Sequence, residues 1–359
     1  MLGFSIFLGD SFDQAKVDYI YAMQQKGFRK IFTSLHIPED DSQQVLANLI
    51  QLGKLAKELN LEIMADISND GLKRLGIELD VVESFNQLKE MGITGIRMDY
   101  GIEQQVIANA SKVVKVGLNA STLTEQDVEQ LIAYQADFSQ MELWHNYYPR
   151  PETGLSEAYL QQLNQKWQHL GMKIVAFVMG EEKLRGPLFE GLPTLESQRY
   201  QHPLAATLQL INQFGCHDVC IGDEGLSSET REQFQAFFQE QKIKLNVEVF
   251  DETHRDLFIG THKNRQDDAR DVIRSQEARF KNVPTIEASN TVARNKGSIT
   301  LDNQNYLRYM GELQILKRDL PSNPKVNVVA QIHKKDVDLV DCILPGYQFE
   351  LSESRKSND

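Results

Sequence analysis

The sequence predicts an α/β protein: an N-terminal TIM-like (β/α)8 barrel followed by a small β-barrel or sandwich domain. Three observations carry this expectation. Strand-like and helix-like segments alternate at short spacing through residue 243. Eight such strands fit within that stretch, which is the size and rhythm of one closed barrel. Beyond residue 243 the pattern changes to short strands separated by polar turns. The domains are therefore expected at 1–243 and 244–359.

The predicted strands are Leu2–Leu8, Lys30–His36, Glu62–Ser68, Gly95–Tyr100, Val113–Asn119, Met141–His145, Lys173–Val178 and Asp218–Gly222. Between them, stretches such as QAKVDYIYAMQQKGF and EAYLQQLNQKWQHLG repeat apolar residues at three- and four-residue spacing, the helical period. Gly27, Gly92 and Gly171 follow helical runs, where a left-handed cap is expected. An open doubly wound sheet is disfavoured because no G-x-G-x-x-G turn opens a helix. The stretch 181–203, between the seventh strand and its helix, is long for a βα connection, and such loops are usually functional. In the second domain the strands read KLNVEVF, LFIGTHK, GSITLD, LQILKRDL, VNVVAQI and CILPGYQFEL. LNVEVFDETHRDLFIG reads as two strands joined by a tight polar turn.

Barrel active sites lie at the C-terminal ends of the strands, and polar residues gather there in this sequence. The first strands end at Asp10, at Ser34 and His36, and at Asp66 and Ser68. The fourth offers Arg97 and Asp99, the fifth Asn119, the sixth the segment WHNYYPRPETG, and the eighth Asp223 and Glu224. Side chains alternate along a strand, so Arg97 and Asp99 share a face. Any one carboxylate could cap a helix or brace a loop. Four together (Asp66, Asp99, Asp223, Glu224) point to acid/base chemistry of the glycosidase kind. His145, Asn146 and Asn119 could bond sugar hydroxyls, and Trp144, Tyr147 and Tyr148 could stack on sugar rings. Arg150, Arg185 or Arg199 could meet an anion through a bidentate fork, and Arg294 in the second domain is a further candidate. Glu152, Asp10 and His36 complete the expected binding set.

The net charge of −13 disfavours a nucleic-acid partner, since phosphate backbones need a basic face. Residues 244–359 hold 18 basic and 18 acidic side chains, so the acidic excess belongs to the first domain. No apolar run reaches the ~18 residues of a membrane span. Three cysteines (Cys216, Cys220, Cys342) argue against a disulfide framework and for a reducing compartment. No spacing completes a metal site around Cys216 and Cys220, and neither metal nor cofactor is expected, although Mg²⁺ needs only one or two carboxylates. Lys115 is the one obvious strand lysine for imine chemistry, which keeps a sugar-phosphate aldolase or epimerase as an alternative. A non-enzymatic binding protein is a second one.

The words GFSIFLGD, FTSLHIPED, ADIS, IRMDYG, LNAS, HNYYPRPETGL, RGPLFEGLPTLE, GDEG and RNKGSITLDNQNYLRYMGELQI run in order along nearly the whole chain. In them the sequence resembles the bacterial 6-phospho-N-acetylmuramidase family, formerly a domain of unknown function or "outer surface protein". The resemblance implies a TIM-like barrel followed by a cyclophilin-like β domain. It also implies hydrolysis of the β-1,4 bond of N-acetylmuramic acid 6-phosphate–N-acetylglucosamine in cytoplasmic peptidoglycan recycling. A small phosphorylated disaccharide is then the expected partner, with no nucleic acid and no membrane.

Overall fold

The computed structural model describes residues 1–35, 42–98, 101–278 and 283–353. The chain forms two compact units, Met1–Arg231 and Glu232–Asp359. Their boundary falls inside the helix Ser228–Glu240, before the 243/244 break read from the change of rhythm. Side-chain contacts explain the earlier position. Gln233 Nε2 donates to the Lys244 carbonyl and to Asp336 Oδ1, each at 3.1 Å, and the Phe237 ring tilts against Tyr347.

In the first unit all eight expected strands are present, parallel and closed in chain order. They are β1 (Leu2–Ser5), β2 (Lys30–Ser34), β3 (Glu62–Ile67), β4 (Gly95–Met98), β5 (Lys115–Asn119), β6 (Met141–Trp144), β7 (Lys173–Val178) and β8 (Asp218–Ile221). β1 pairs with β8 to close the ring. The helices start at side-chain caps: Asp13, Ser68, Thr124 and Ser156 each accept a backbone N–H of the first turn. Several helices end as expected, with Gly27, Gly92 and Gly171 at φ +99°, +91° and +67°.

Alternation along the strands fills the barrel in layers. At the N-terminal starts lies a polar floor: Lys30 Nζ stands 2.9 Å from Glu142 Oε2 and 2.9 Å from Asp218 Oδ2. All three residues are at most 5% exposed. Burial works against the ammonium, but the two carboxylates outweigh it and raise the Lys30 pKa. Above the floor packs an apolar layer of Phe32, Met64, Trp144, Val175, Phe177 and Cys220, with Tyr147 against it. Gly117 makes room for the indole, since a Cβ there would stand 2.9 Å from Trp144 Cδ1. Toward the strand tops are Asp66, Arg97 and Asn119.

The second unit holds a seven-stranded mixed sheet. Its strands are β9 (Lys242–Val249), β10 (Gly260–Lys263), β11 (Val272–Arg274), β12 (Ser298–Asp302), β13 (Leu313–Leu316), β14 (Val326–Ile332) and β15 (Gln348–Glu353). The order is β10-β15-β9-β14-β12-β13-β11, antiparallel except for β9 with β15. The expected hairpin of β9 and β10 is therefore not made. A short helix, Arg255–Phe258, separates them in sequence, and β15 lies between them in the sheet. The three-residue β11 had no alternating pattern long enough to announce it.

Two carboxylates meet across β12 and β13. Asp302 and Glu312 are 5% and 4% exposed, and Arg274 Nε donates to Glu312 Oε1 at 2.7 Å. Burial first, and then the Glu312 charge, push Asp302 up to about 7.

Two outcomes are expected. Lys30→Met leaves two carboxylates buried without compensation, so urea unfolding loses about 3–5 kcal/mol. Adding Glu142→Gln and Asp218→Asn to that variant restores part of it. For Asp302 the folded pKa exceeds the unfolded one, so the folded state keeps a proton that the unfolded chain releases. Stability therefore falls as pH rises from about 4 to about 7. Asp302→Asn removes that fall, and at pH 8 it gains on the order of 1–3 kcal/mol over wild type with little difference at pH 4, as thermal melts at the two pH values would read.

Candidate active site

The first cluster at the barrel mouth grows from β3, β4, β5 and the residues after β6. Asp66 and Arg97 are register partners on β3 and β4, and Arg97 Nη1 donates to Asp66 Oδ1 at 3.0 Å. Arg97 Nη2 donates to Asn146 Oδ1, which also accepts from Asn119 Nδ2 at 3.3 Å. Arg97 is buried at 4% exposure, while the Asp66 side chain keeps 19%. A buried guanidinium thus compensates a carboxylate that still reaches the mouth.

The second cluster joins β1, β8 and the long loop. Arg185 Nη1 donates to the Tyr147 hydroxyl at 2.9 Å, and its guanidinium lies over the Phe7 ring, 4.1 Å from the centroid. Among the described residues no carboxylate pairs with Arg185. Phe7 N–H donates to Glu224 Oε1, and Lys16 Nζ lies 3.3 Å from the same oxygen. Burial raises the Glu224 pKa, with Lys16 opposing it. The other Glu224 oxygen has no hydrogen bond among the described residues, and its side chain is 12% exposed. Burial also raises the pKa of Tyr147.

Asp223 was expected beside a scissile bond, but its carboxylate is taken up by backbone. Oδ2 accepts from Gly180 N and Leu192 N at 3.0 Å, Oδ1 accepts from Arg185 N at 3.1 Å, and the residue is fully buried. Burial raises its pKa. Past the end of β8, Asp223 and Glu224 engage different partners, Asp223 the long loop and Glu224 the residues Phe7 and Lys16.

His145 is also turned away from the mouth. It is fully buried, Nε2 meets Asn164 Oδ1 at 2.7 Å, and burial brings it to about 4, so the ring is neutral. Trp144 is fully buried in the barrel and stacks on Phe32 at 5.6 Å, which leaves it no open face for a sugar. Arg199 is saturated by Glu196 and by the carbonyls of Tyr148, Arg150, Glu190 and Gly191. It therefore staples the WHNYYPRPETG segment to the long loop. Within that segment Tyr148 is half-buried, Arg150 is exposed, and Glu152 is exposed with its N–H on Glu196 Oε1. Asp10 is exposed, and its carbonyl accepts from Asn48. Arg294 belongs to the second unit, where Nε donates to the Pro321 carbonyl at 3.0 Å. Asp99 and His36 lie outside the described residues. Lys115 sits at the N-terminal start of β5, 2.6 Å from Glu62, so the imine reading loses its lysine.

Phe7 and Lys16 were missed as site residues. A signal existed for Lys16: it falls in the buried stripe of its helix with Ile20 and Met23, and a lysine in an apolar stripe needs a carboxylate. Cys216 and Cys220 are free buried thiols pushed up to about 12 by burial, consistent with packing. Among the described residues no group of three His, Cys, Asp or Glu could hold a metal ion, and no helix is long and apolar enough to cross a membrane.

Fold and mouth define the class: a closed (β/α)8 barrel with polar and charged groups at its C-terminal strand ends, joined to a second unit built on a mixed sheet. The chain belongs to the 6-phospho-N-acetylmuramidase family, with residues 2–236 matching its N-terminal region and 242–352 its C-terminal region. The family's name is that of a glycosidase acting on a phosphorylated sugar. Among solved structures, a conserved Enterococcus faecalis protein of unknown function is 43% identical, with 99% of this chain and 96% of that one covered and a TM-score of 0.90. An uncharacterized B. cereus protein is 26% identical over 98% and 99% of the two chains, with a TM-score of 0.73. No curated protein matches the chain in sequence.

Proposed function

We propose that this protein is a 6-phospho-N-acetylmuramidase. It hydrolyses the β-1,4 bond of N-acetylmuramic acid 6-phosphate–N-acetylglucosamine, a fragment of recycled cell wall, in the cytoplasm. The observation that carries the proposal, beside family membership, is Arg185: a half-buried guanidinium held at the mouth by a phenol and a ring face, with no carboxylate paired to it among the described residues. A cation so placed suits an anionic substrate group, because phosphate or carboxylate offers the bidentate acceptor it lacks. Arg150, exposed in the neighbouring segment, is the second candidate for the two anions of this substrate.

Glu224 is the proposed proton donor. Burial raises its pKa, the direction a proton donor needs, and one of its oxygens has no hydrogen bond among the described residues. Asp66, compensated by Arg97, is the proposed carboxylate facing the anomeric centre, and Asp99, outside the described residues, shares its candidacy on the sequence pattern alone. Asn119, Asn146 and Tyr148 are proposed to meet the sugar hydroxyls and ring.

The first test is incubation with the 6-phosphorylated muramyl disaccharide and with its unphosphorylated form, read by mass spectrometry. Cleavage restricted to the phosphorylated form is expected; cleavage of neither form overturns the proposal. For the acid, the alkaline limb of the kcat/KM profile is expected above the ordinary carboxylate range, since a raised pKa keeps the acid protonated to higher pH. Glu224→Gln removes that limb and slows turnover about 10²–10⁴-fold. Near-wild-type turnover in Asp66→Asn, Asp99→Asn and Glu224→Gln together would sink the carboxylate assignments.

A further inference from the structure

The sequence pattern GDEG at the end of β8 does two separate jobs, and the proposed acid uses only one of them. Glu224 turns its side chain to Phe7 and Lys16. Asp223 turns the other way and collects three backbone N–H groups from one loop, those of Gly180, Arg185 and Leu192. The backbone adds to this hold. Lys183 N donates to the Glu224 carbonyl at 2.9 Å, and Glu181 N donates to the Gly225 carbonyl at 2.9 Å. The glycines permit the close approach: a Cβ on Gly180 would stand 2.9 Å from Asp223 Cβ, and Gly225 has φ +111°. The middle donor is the backbone of Arg185 itself, whose guanidinium rests between the Phe7 ring and the Tyr147 hydroxyl.

We infer that Asp223 is a positioning residue for anion recognition: by holding the Arg185 backbone it sets where the guanidinium meets the substrate's anionic group. This rests on the reading of Arg185 as the anion contact. A carboxylate accepting backbone N–H groups makes strong, charge-assisted bonds. Fully buried, with those three bonds already made, it is poorly placed to reach a glycosidic oxygen. Its removal is therefore expected to move the arginine and leave the proton transfer alone.

The test compares wild type, Asp223→Asn, Arg185→Ala and the double variant. Two readouts are used: steady-state kinetics on the phosphorylated disaccharide, and calorimetric binding of N-acetylglucosamine 6-phosphate. Asp223→Asn is expected to raise KM about 10-fold with turnover within about 3-fold and the pH limbs unmoved. The double variant is expected to be no worse than Arg185→Ala, because the two changes remove one function. If Asp223→Asn instead slows turnover by about 100-fold or more and loses a pH limb, Asp223 is catalytic and the inference is overturned. Additive losses in the double variant would overturn it too. Should Asp223→Asn not fold, Asp223→Glu keeps the acceptor but displaces the loop, and the same KM increase is expected. If wild type cleaves neither disaccharide, the glycosidase reading fails and calorimetry still decides this one. Equal weakening in Asp223→Asn and Arg185→Ala supports it, and unchanged binding in Asp223→Asn overturns it.

Discussion

A lysine can stand in the axis of a closed barrel only where negative charge is brought to it. Here β6 and β8, whose residues are 112 and 188 positions away in sequence, bring it to Lys30 on β2. The interaction is demanding because each partner left alone would be a buried charge. It therefore accepts only a ring in which all three strands hold the right register. Everything above leans on it. Glu142 also accepts from Trp144 Nε1 at 2.9 Å, the indole stacks on Phe32, Phe32 meets Tyr147 edge-on at 6.0 Å, and the Tyr147 hydroxyl receives Arg185. Floor, aromatic layer and mouth form one column, so the position of the mouth's cation is tied to charge pairing at the other end of the barrel.

Much of the barrel was legible because its determinants are local. Helical periodicity, capping residues and left-handed glycines act within a few positions, and a strand buried on both faces reads as a short apolar run between them. The second sheet was legible as strands but not as an order. Nothing in LNVEVFDETHRDLFIG says that a strand about a hundred residues later will enter between β9 and β10. That choice is made by tertiary pairing.

The mouth was legible as a set of residues and not as a set of roles. Asp66, Arg97, Asn119 and Asn146 do gather at the strand ends, since alternation and barrel geometry settle that much, while Arg185 comes from the long loop after β7. Whether a side chain at a strand end turns to the axis, to the helices or to a neighbouring loop depends on a single residue of phase. His145 follows Trp144 and so faces Asn164. Asp223 lies past the end of β8, in a bend where strand alternation no longer sets direction, and meets the loop. Lys115 carries a chemically suggestive group but opens its strand, which puts it at the opposite end of the barrel from the other candidates. Phe7 escaped notice because an apolar ring that carries a guanidinium has no sequence signature beyond being apolar.

The latch on the long loop bears on recognition before any ligand arrives. Fixing a residue's backbone costs about 1–2 kcal/mol of conformational entropy, and a loop that orders only around its ligand subtracts that from the affinity. Here the segment from Gly180 to Leu192 is already tied to Asp223 and to the β8 backbone, so folding has met that cost. For the anion proposed to meet Arg185, what then remains is to strip water from one guanidinium. On the proposed reading of Arg185 as the anion contact, this side of the rim is a preformed socket, with its selectivity written in charge and shape.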